Sequence, residues 1–202
     1  MSGSGTNLQA ILDEVHGRDG IAVDVVVSNR ADAKALDRAG AAGVETAVFD
    51  AADYADRGAR DRAMADFLKV RGVRLVVLAG YMHLLDPAFL AQFPHAVINV
   101  HPALLPAFPG ATPVQDQIAY GAKVSGVTVH FVDDGVDTGP IILQEAVKLP
   151  YTRDEEAILT VLHRTEHALL PRAIRLFASG GVRVDSDNPR YVHVDEEVLK
   201  DG

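Results

Sequence analysis

The sequence contains no cysteine. That excludes disulfides, zinc–thiolate sites and thiol catalysis together, and it suits a reducing cytosol. No stretch reaches the roughly 18 apolar residues of a membrane span. The N-terminus has no basic region followed by an apolar core, so it does not read as a secretory signal. A long basic run is also missing: Lys plus Arg number 19 against 28 Asp plus Glu, for a net charge of −9. That balance is poorly suited to binding nucleic acid through its phosphates. Neither an internal repeat nor a low-complexity linker is present. What remains is 202 residues, 48% apolar and 23% charged. This is ordinary globular composition, with length for one α/β domain or at most two small ones. The expected partners are small molecules, not nucleic acid or membrane, in a cytoplasmic setting.

Apolar runs alternate with helical patterns, the signature of a layered α/β domain with a largely parallel sheet. Helices are predicted at residues 6–15, where Leu8, Ile11, Leu12 and Val15 share a face, and at 31–39, 57–70, 87–93 and 115–120. Strands are predicted at 21–27, 44–49, 73–79, 96–100, 127–132 and 141–149. Residues 155–178 have apolar side chains at helical spacing, with Pro171 inside, so this helix is expected to kink or divide. The tail from Gly180 alternates weakly and is expected to add a small hairpin or edge strand.

Three stretches carry candidate chemistry. Ser2-Gly3-Ser4-Gly5-Thr6-Asn7 runs directly into the first helix. Glycines let backbone N–H groups approach an anion, and a helix N-terminus adds partial positive charge. A flexible start capped by Thr6 or Asn7 explains the same residues. The loop is neither a Walker motif, which needs a Lys-Ser/Thr pair, nor a dinucleotide fingerprint, whose third glycine is here Leu8. In Ile98-Asn99-Val100-His101-Pro102, Asn99 and His101 lie two apart at the end of a strand, so they share a face. Ligands bind at that end of open α/β sheets. An amide beside an imidazole offers a donor for a carbonyl oxygen and a proton carrier near neutral pH. Asp133, Asp134 and Asp137 share a turn-rich stretch. They read as solvated turn residues, as metal ligands lacking an EF-hand's final Glu, or as one carboxylate orienting His101. His163 and His167 are four apart on the long helix with no evident third ligand, and no metal is expected there. His16, His95 and His193 read as surface residues.

Together, Ser2-Gly3-Ser4-Gly5-Thr6-Asn7-Leu8, Leu78-Ala79-Gly80-Tyr81-Met82 and Ile98 to Pro106 resemble the folate-dependent formyltransferases. Phe108-Pro109-Gly110, Gly126 to Asp133, Asp137-Thr138-Gly139-Pro140 and Glu166 to Pro171 extend the likeness to about Phe177. The resemblance implies a single formyltransferase domain over 1–202, Rossmann-like, with a mostly parallel sheet and helices on both faces. In the family a strand leads into the glycine loop. Only Met1 and Ser2 precede Gly3 here, so the first strand is expected to be missing from this sequence.

The implied reaction moves a formyl group from 10-formyltetrahydrofolate, a co-substrate, to the amine of glycinamide ribonucleotide in purine synthesis, without a metal. The implied catalytic residues are Asn99 and protonated His101, which stabilise the oxyanion, and Asp137, which holds His101 and helps move protons. Substrate binding is implied for Gly5, Thr6 and Asn7 at the phosphate, Met82 and Pro102 along the channel, and Glu166 at the ribose. Folate contacts are implied for Arg57, His83, Leu84 and Leu85, and for the loop Val132, Asp133, Asp134, Gly135 and Val136. His83 stands where many relatives have arginine. The implied assembly is a monomer or homodimer.

Two other readings stay open. Formyltetrahydrofolate deformylase shares the Asn, His and Asp but delivers water, and its relatives carry an extra N-terminal regulatory domain not seen in this sequence. A non-catalytic folate- or nucleotide-binding module is the other. A formyltransferase acting on tRNA needs a C-terminal barrel and a basic surface, which the length and the charge oppose.

Overall fold

The structure is a computed structural model that describes residues 5–199. The fold is mixed α/β with a parallel-dominated sheet and helices, the class the sequence predicts. The described residues fall into two compact units that divide between Ile98 and Asn99.

The first unit opens with α1 (Thr6–Glu14), followed by β1 (Val25–Ser28), α2 (Lys34–Ala41) and β2 (Glu45–Val48). A 3₁₀ turn (Ala51–Asp53), α3 (Arg57–Val70), β3 (Val76–Leu78), α4 (Pro87–Leu90) and the start of β4 (Val97–His101) complete it. β1 and β2 are parallel, with Val25 opposite Glu45. Leu8 and Leu12 of α1, Val26 of β1, Ala35 and Ala39 of α2, Val44 and Ala79 form its core. The small side chains at 35 and 39 let α1 start close by: a Cβ on Gly5 would lie 3.1 Å from the Ala35 Cα. Gly5 is itself the N-cap of α1, at φ +73°, with no side-chain cap, so Thr6 and Asn7 are helical residues and not caps. Asp56 and Asp86 do cap, accepting the Ala59 and Ala88 N–H groups at the starts of α3 and α4.

The strands of this unit are shorter than the apolar runs that announce them. Val23 packs on the core without joining the ladder, so apolarity overruns pairing. α2 begins at Lys34 and not Ala31, because Arg30 and Asp32 pair across a turn. Among the described residues α1 is the first element. Ser2, Gly3 and Ser4, with the expectation of a missing strand before them, lie outside the described residues.

The second unit holds the end of β4, α5 (Pro113–Tyr120), β5 (Val124–Phe131), β6 (Ile141–Lys148) and α6 (Glu155–Ala178). β4, β5 and β6 are successive neighbours. β5 and β6 are antiparallel, and their register slips between Val129 and His130 in a bulge. α6 packs across β5 and β6. It runs as one helix through Pro171, contrary to the expected division. Leu162, Leu169, Leu170, Ala173 and Leu176 are buried on both sides of the proline, and that anchorage outweighs the one backbone hydrogen bond a proline removes. The expected hairpin is β7 (Val182–Val184) against β8 (Val192–Val194). His193 and the Asn188 and Asp187 N–H groups hold its Asp185 carboxyl down to about 2.

β5 is almost wholly buried and approaches β6 closely at Gly126, where a Cβ would stand 2.1 Å from the Glu145 carbonyl oxygen. Gly126→Ala must therefore part the two strands. It should cost about 3 kcal/mol, the upper end for overpacking, read as a lower urea midpoint. An unchanged midpoint would show that the strands have slack at this point.

Candidate active site

Three residues that the sequence brought forward meet at the end of β4. His101 is buried, and its Nδ1 lies 3.3 Å from Asp137 Oδ2. Asn99 Nδ2 lies 3.5 Å from Asp137 Oδ1. The alternation of β4 puts both on one side, and the turn after β5 brings Asp137 to them. Asp137 is the member of the acidic turn that reaches the histidine. Asp133 instead organises the turn, accepting the Gly135 N–H and the Thr138 hydroxyl at 3.1 and 2.6 Å. Gly135 is required there, since a Cβ would stand 2.0 Å from Thr138 Oγ1.

The loop after β4 closes the cluster. Gly110 N–H donates to Asp137 Oδ2 at 2.8 Å, and the Phe108 carbonyl lies 2.7 Å from His101 Nε2. Phe108 and Asp137 both have φ near +50°, at 52° and 51°. This left-handed conformation is unusual for non-glycine residues and must be held by its surroundings. Thr128 of β5 is central to that hold. Its hydroxyl donates to the Ala103 carbonyl and accepts from Leu105 N–H and Gln144 Nε2. Gln144 also donates to the Leu105 carbonyl, and Gln117 to that of Pro102.

His130 is the member that the sequence reading missed. It is 2% exposed, with Nε2 3.4 Å from Asn99 Nδ2 and 3.6 Å from Asp137 Oδ1. Its Nδ1 lies 2.8 Å from the Phe131 carbonyl oxygen, which places a proton on Nδ1. The signal was present in Thr128 and His130, two polar residues on alternate positions of an otherwise apolar strand.

Burial pushes the Asp137 carboxyl up, but hydrogen bonds from His130 and the Gly110 N–H, with the nearby imidazoles, outweigh it and leave the group below its ordinary value. For His101 burial wins. It holds the imidazole below 6.5 against the Phe108 carbonyl and Asp137, which both raise it. The cluster therefore pairs an anionic carboxylate with a largely neutral imidazole at neutral pH. Such a pair can take up a proton when negative charge develops beside it.

The other expected site residues are distributed as follows. In the first unit, Gly5, Thr6 and Asn7 form the start of α1, and Arg57 is exposed at the start of α3. Met82, His83 and Leu84 are exposed in the segment between β3 and α4, while Leu85 is buried. In the second unit Pro102 is half-buried after β4, and Glu166 is buried on α6, 4.0 Å from His163. Val132 to Val136 form the turn that ends in Asp137, with Val136 exposed. Among the described residues, no group of three or more His, Asp or Glu side chains is placed to hold a metal. His163 and His167 stack with ring centres 6.1 Å apart. His16, expected at the surface, is half-buried and accepts the Val23 N–H.

An amide, an imidazole and a half-buried carboxylate in mutual reach, at the C-terminal end of a strand, set a hydrogen-bond donor beside a proton carrier. Comparison with known proteins narrows the class: a family model described as formyl transferase matches residues 1–174, and the chain belongs to that family. It is 38% identical to the phosphoribosylglycinamide formyltransferase of Haemophilus influenzae, covering 95% of this chain and 91% of that protein. It is likewise 38% identical to the trifunctional purine biosynthetic protein adenosine-3 of Drosophila pseudoobscura pseudoobscura. There it spans all of this chain but only 14% of the relative's length. Among solved structures, glycinamide ribonucleotide transformylase 1 from Symbiobacterium toebii superposes with a TM-score of 0.91 at 48% identity, covering 96% of this chain and 91% of that one.

His101 should titrate below the ordinary histidine value of 6.5 in the ligand-free protein. Because Asp137 raises that value, Asp137→Asn should move the midpoint further down. Imidazole proton shifts followed by NMR across pH 4–8 measure both. A midpoint that rises in the variant would contradict the assigned electrostatics.

Proposed function

We propose that this protein transfers the formyl group of 10-formyltetrahydrofolate to the primary amine of glycinamide ribonucleotide. The observation that carries this reading is the Asn99–His101–Asp137 cluster in a chain of the formyl transferase family. The amine nitrogen attacks the formyl carbon and a C–N bond forms. The carbonyl oxygen becomes an oxyanion, which the Asn99 amide and His101 stabilise. Both Asn99 Nδ2 contacts are long, at 3.4 and 3.5 Å, so the amide can turn toward a substrate oxygen. His101, held by Asp137, accepts and returns the proton that moves from the amine to the folate nitrogen. The bond from the formyl carbon to that nitrogen then breaks, releasing tetrahydrofolate. Cleavage at this bond needs an oxyanion donor and a proton carrier, and we propose no metal for it.

In this reading Gly5, Thr6 and Asn7 take the ribonucleotide phosphate. The uncapped start of α1, without an acidic residue in its first turn, supports them. Met82, Pro102 and Glu166 contact the rest of the ribonucleotide. Arg57, His83, Leu84, Leu85 and the turn Val132 to Val136 contact the folate. The chain works as one formyltransferase domain, in the cytoplasm, as a monomer or homodimer.

An acceptor assay with 10-formyltetrahydrofolate tests the reading directly. Formyl transfer to glycinamide ribonucleotide should far exceed formate release in water. Formate release that is indifferent to the ribonucleotide would make the protein a hydrolase. No turnover of the folate at all would make it a binding module. Asn99→Ala or His101→Ala should each lower turnover about 10²-fold or more, the scale of a lost oxyanion donor or proton carrier. Near-normal turnover in His101→Ala would overturn its assignment. Prolonged chelation should leave activity unchanged, and loss restored by an added metal ion would contradict the metal-free step.

A further inference from the structure

The first unit buries an ion pair that the proposed chemistry does not use. The Arg60 and Asp61 side chains on α3 are 4% and 0% exposed. Arg60 Nε and Nη2 both donate to Asp61 Oδ1, at 3.0 and 2.8 Å. Adjacent residues on a helix do not face each other, so this contact does little for α3 itself. A buried ion pair is also weak support for stability, since removing two charges from water offsets most of their attraction.

The other carboxylate oxygen points to what the pair does. Asp61 Oδ2 accepts the backbone N–H of Asp86 at 2.9 Å, 25 residues away in sequence. Asp86 starts α4 and ends the segment that carries Met82, His83, Leu84 and Leu85. The contact is tight: a Cβ on Gly58, in the first turn of α3, would lie 3.3 Å from Asp86 Oδ2. The segment's other end answers to the same charges. Burial raises the Tyr81 phenol, Arg60 and Arg57 pull it back, and Asp61 pushes it up. The Tyr81 and His83 rings lie 5.7 Å apart.

We propose that Asp61, charge-balanced by Arg60, is a positioning residue for the formyl donor: it pins the 81–86 segment to α3 and so sets where His83, Leu84 and Leu85 meet the folate. The inference rests on the assignment of that segment to the folate. Asp61 touches no substrate. Its influence runs through one backbone N–H, so it governs donor binding and leaves the chemical step alone.

Two double variants isolate that bond. Arg60→Met/Asp61→Asn removes both charges but keeps an acceptor for the Asp86 N–H. Arg60→Met/Asp61→Leu removes the charges and the acceptor with similar bulk. The first should hold the KM for 10-formyltetrahydrofolate within about threefold of the parent. The second should raise it about tenfold, the equivalent of about 1.4 kcal/mol and the scale of one hydrogen bond. In both, kcat and the KM for glycinamide ribonucleotide should stay within about twofold, with thermal melts showing folded protein. Should the Leu variant not fold, Asp86→Pro supplies the second arm. Asp86 has φ −67°, which a proline adopts without an N–H to donate; Asp86→Ala, which loses the same side-chain cap on Ala88 but keeps the N–H, is its control, and only the proline variant should raise the donor KM about tenfold. Equal donor KM values with and without the bond, or equal rises for both substrates, would overturn the proposal while leaving the formyl-transfer reading intact. A parent protein that transfers no formyl group would overturn both.

Discussion

The second unit is organised around one carboxylate that is nearly out of water. A buried anion is costly unless donors converge on it. Here the Gly110 N–H and the Asn99 amide donate to Asp137, and the His101 and His130 rings lie beside it. Each donor makes a demand on the fold. Gly110 must be brought back by the loop after β4, which needs Phe108 in a left-handed conformation and Thr128 and Gln144 on the carbonyls and N–H groups before it. Asn99 and His101 must stand two apart on a strand. His130 must face inward from β5, opposite the bulge that Ile142 makes in β6. The polar groups around Asp137 therefore form a connected network and not a set of separate contacts.

Electrostatics follows from the same enclosure. The dry surroundings that keep His101 neutral also strengthen any charge placed next to it. A neutral imidazole beside an anionic carboxylate binds a proton more eagerly once a second negative charge arises on a substrate oxygen. In the proposed reaction the site is thus set for the charged stage and not for the resting stage, which is the property that accelerates a chemical step.

Much of this was legible from local pattern. The limits of α3 and α6, the place of β4 and the pairing of Asn99 with His101 follow from periodicity and from the rule of alternate faces. Asp137 was narrowed to a three-carboxylate turn by spacing, and to one residue by resemblance. What stayed hidden depends on long-range closure. His130 belongs to the cluster because β5 lies beside β4 and brings it to Asn99, 31 residues earlier in the chain, and no short window of sequence contains both partners. Strand ends were overestimated because apolar side chains continue past the last ladder bond. The unbroken α6 shows tertiary burial overriding proline, which local rules weigh on its own. The Arg60–Asp61 pair carries no local signal of its role, since nothing nearby in sequence announces the Asp86 N–H.

The bulge between Val129 and His130 has a mechanical side. Beyond it the Phe131 N–H donates to the Pro140 carbonyl at 2.8 Å. Gly139 sits beneath, where a Cβ would lie 1.8 Å from the Phe131 carbonyl oxygen. The turn that carries Asp137 is therefore hung from a short, rigid neck instead of extending the ladder. Length changes within Asp133–Thr138 would be absorbed below the neck. Ile142 is the extra residue of the bulge, so Leu143 stays opposite Val129 and Gln144 keeps its face on Thr128.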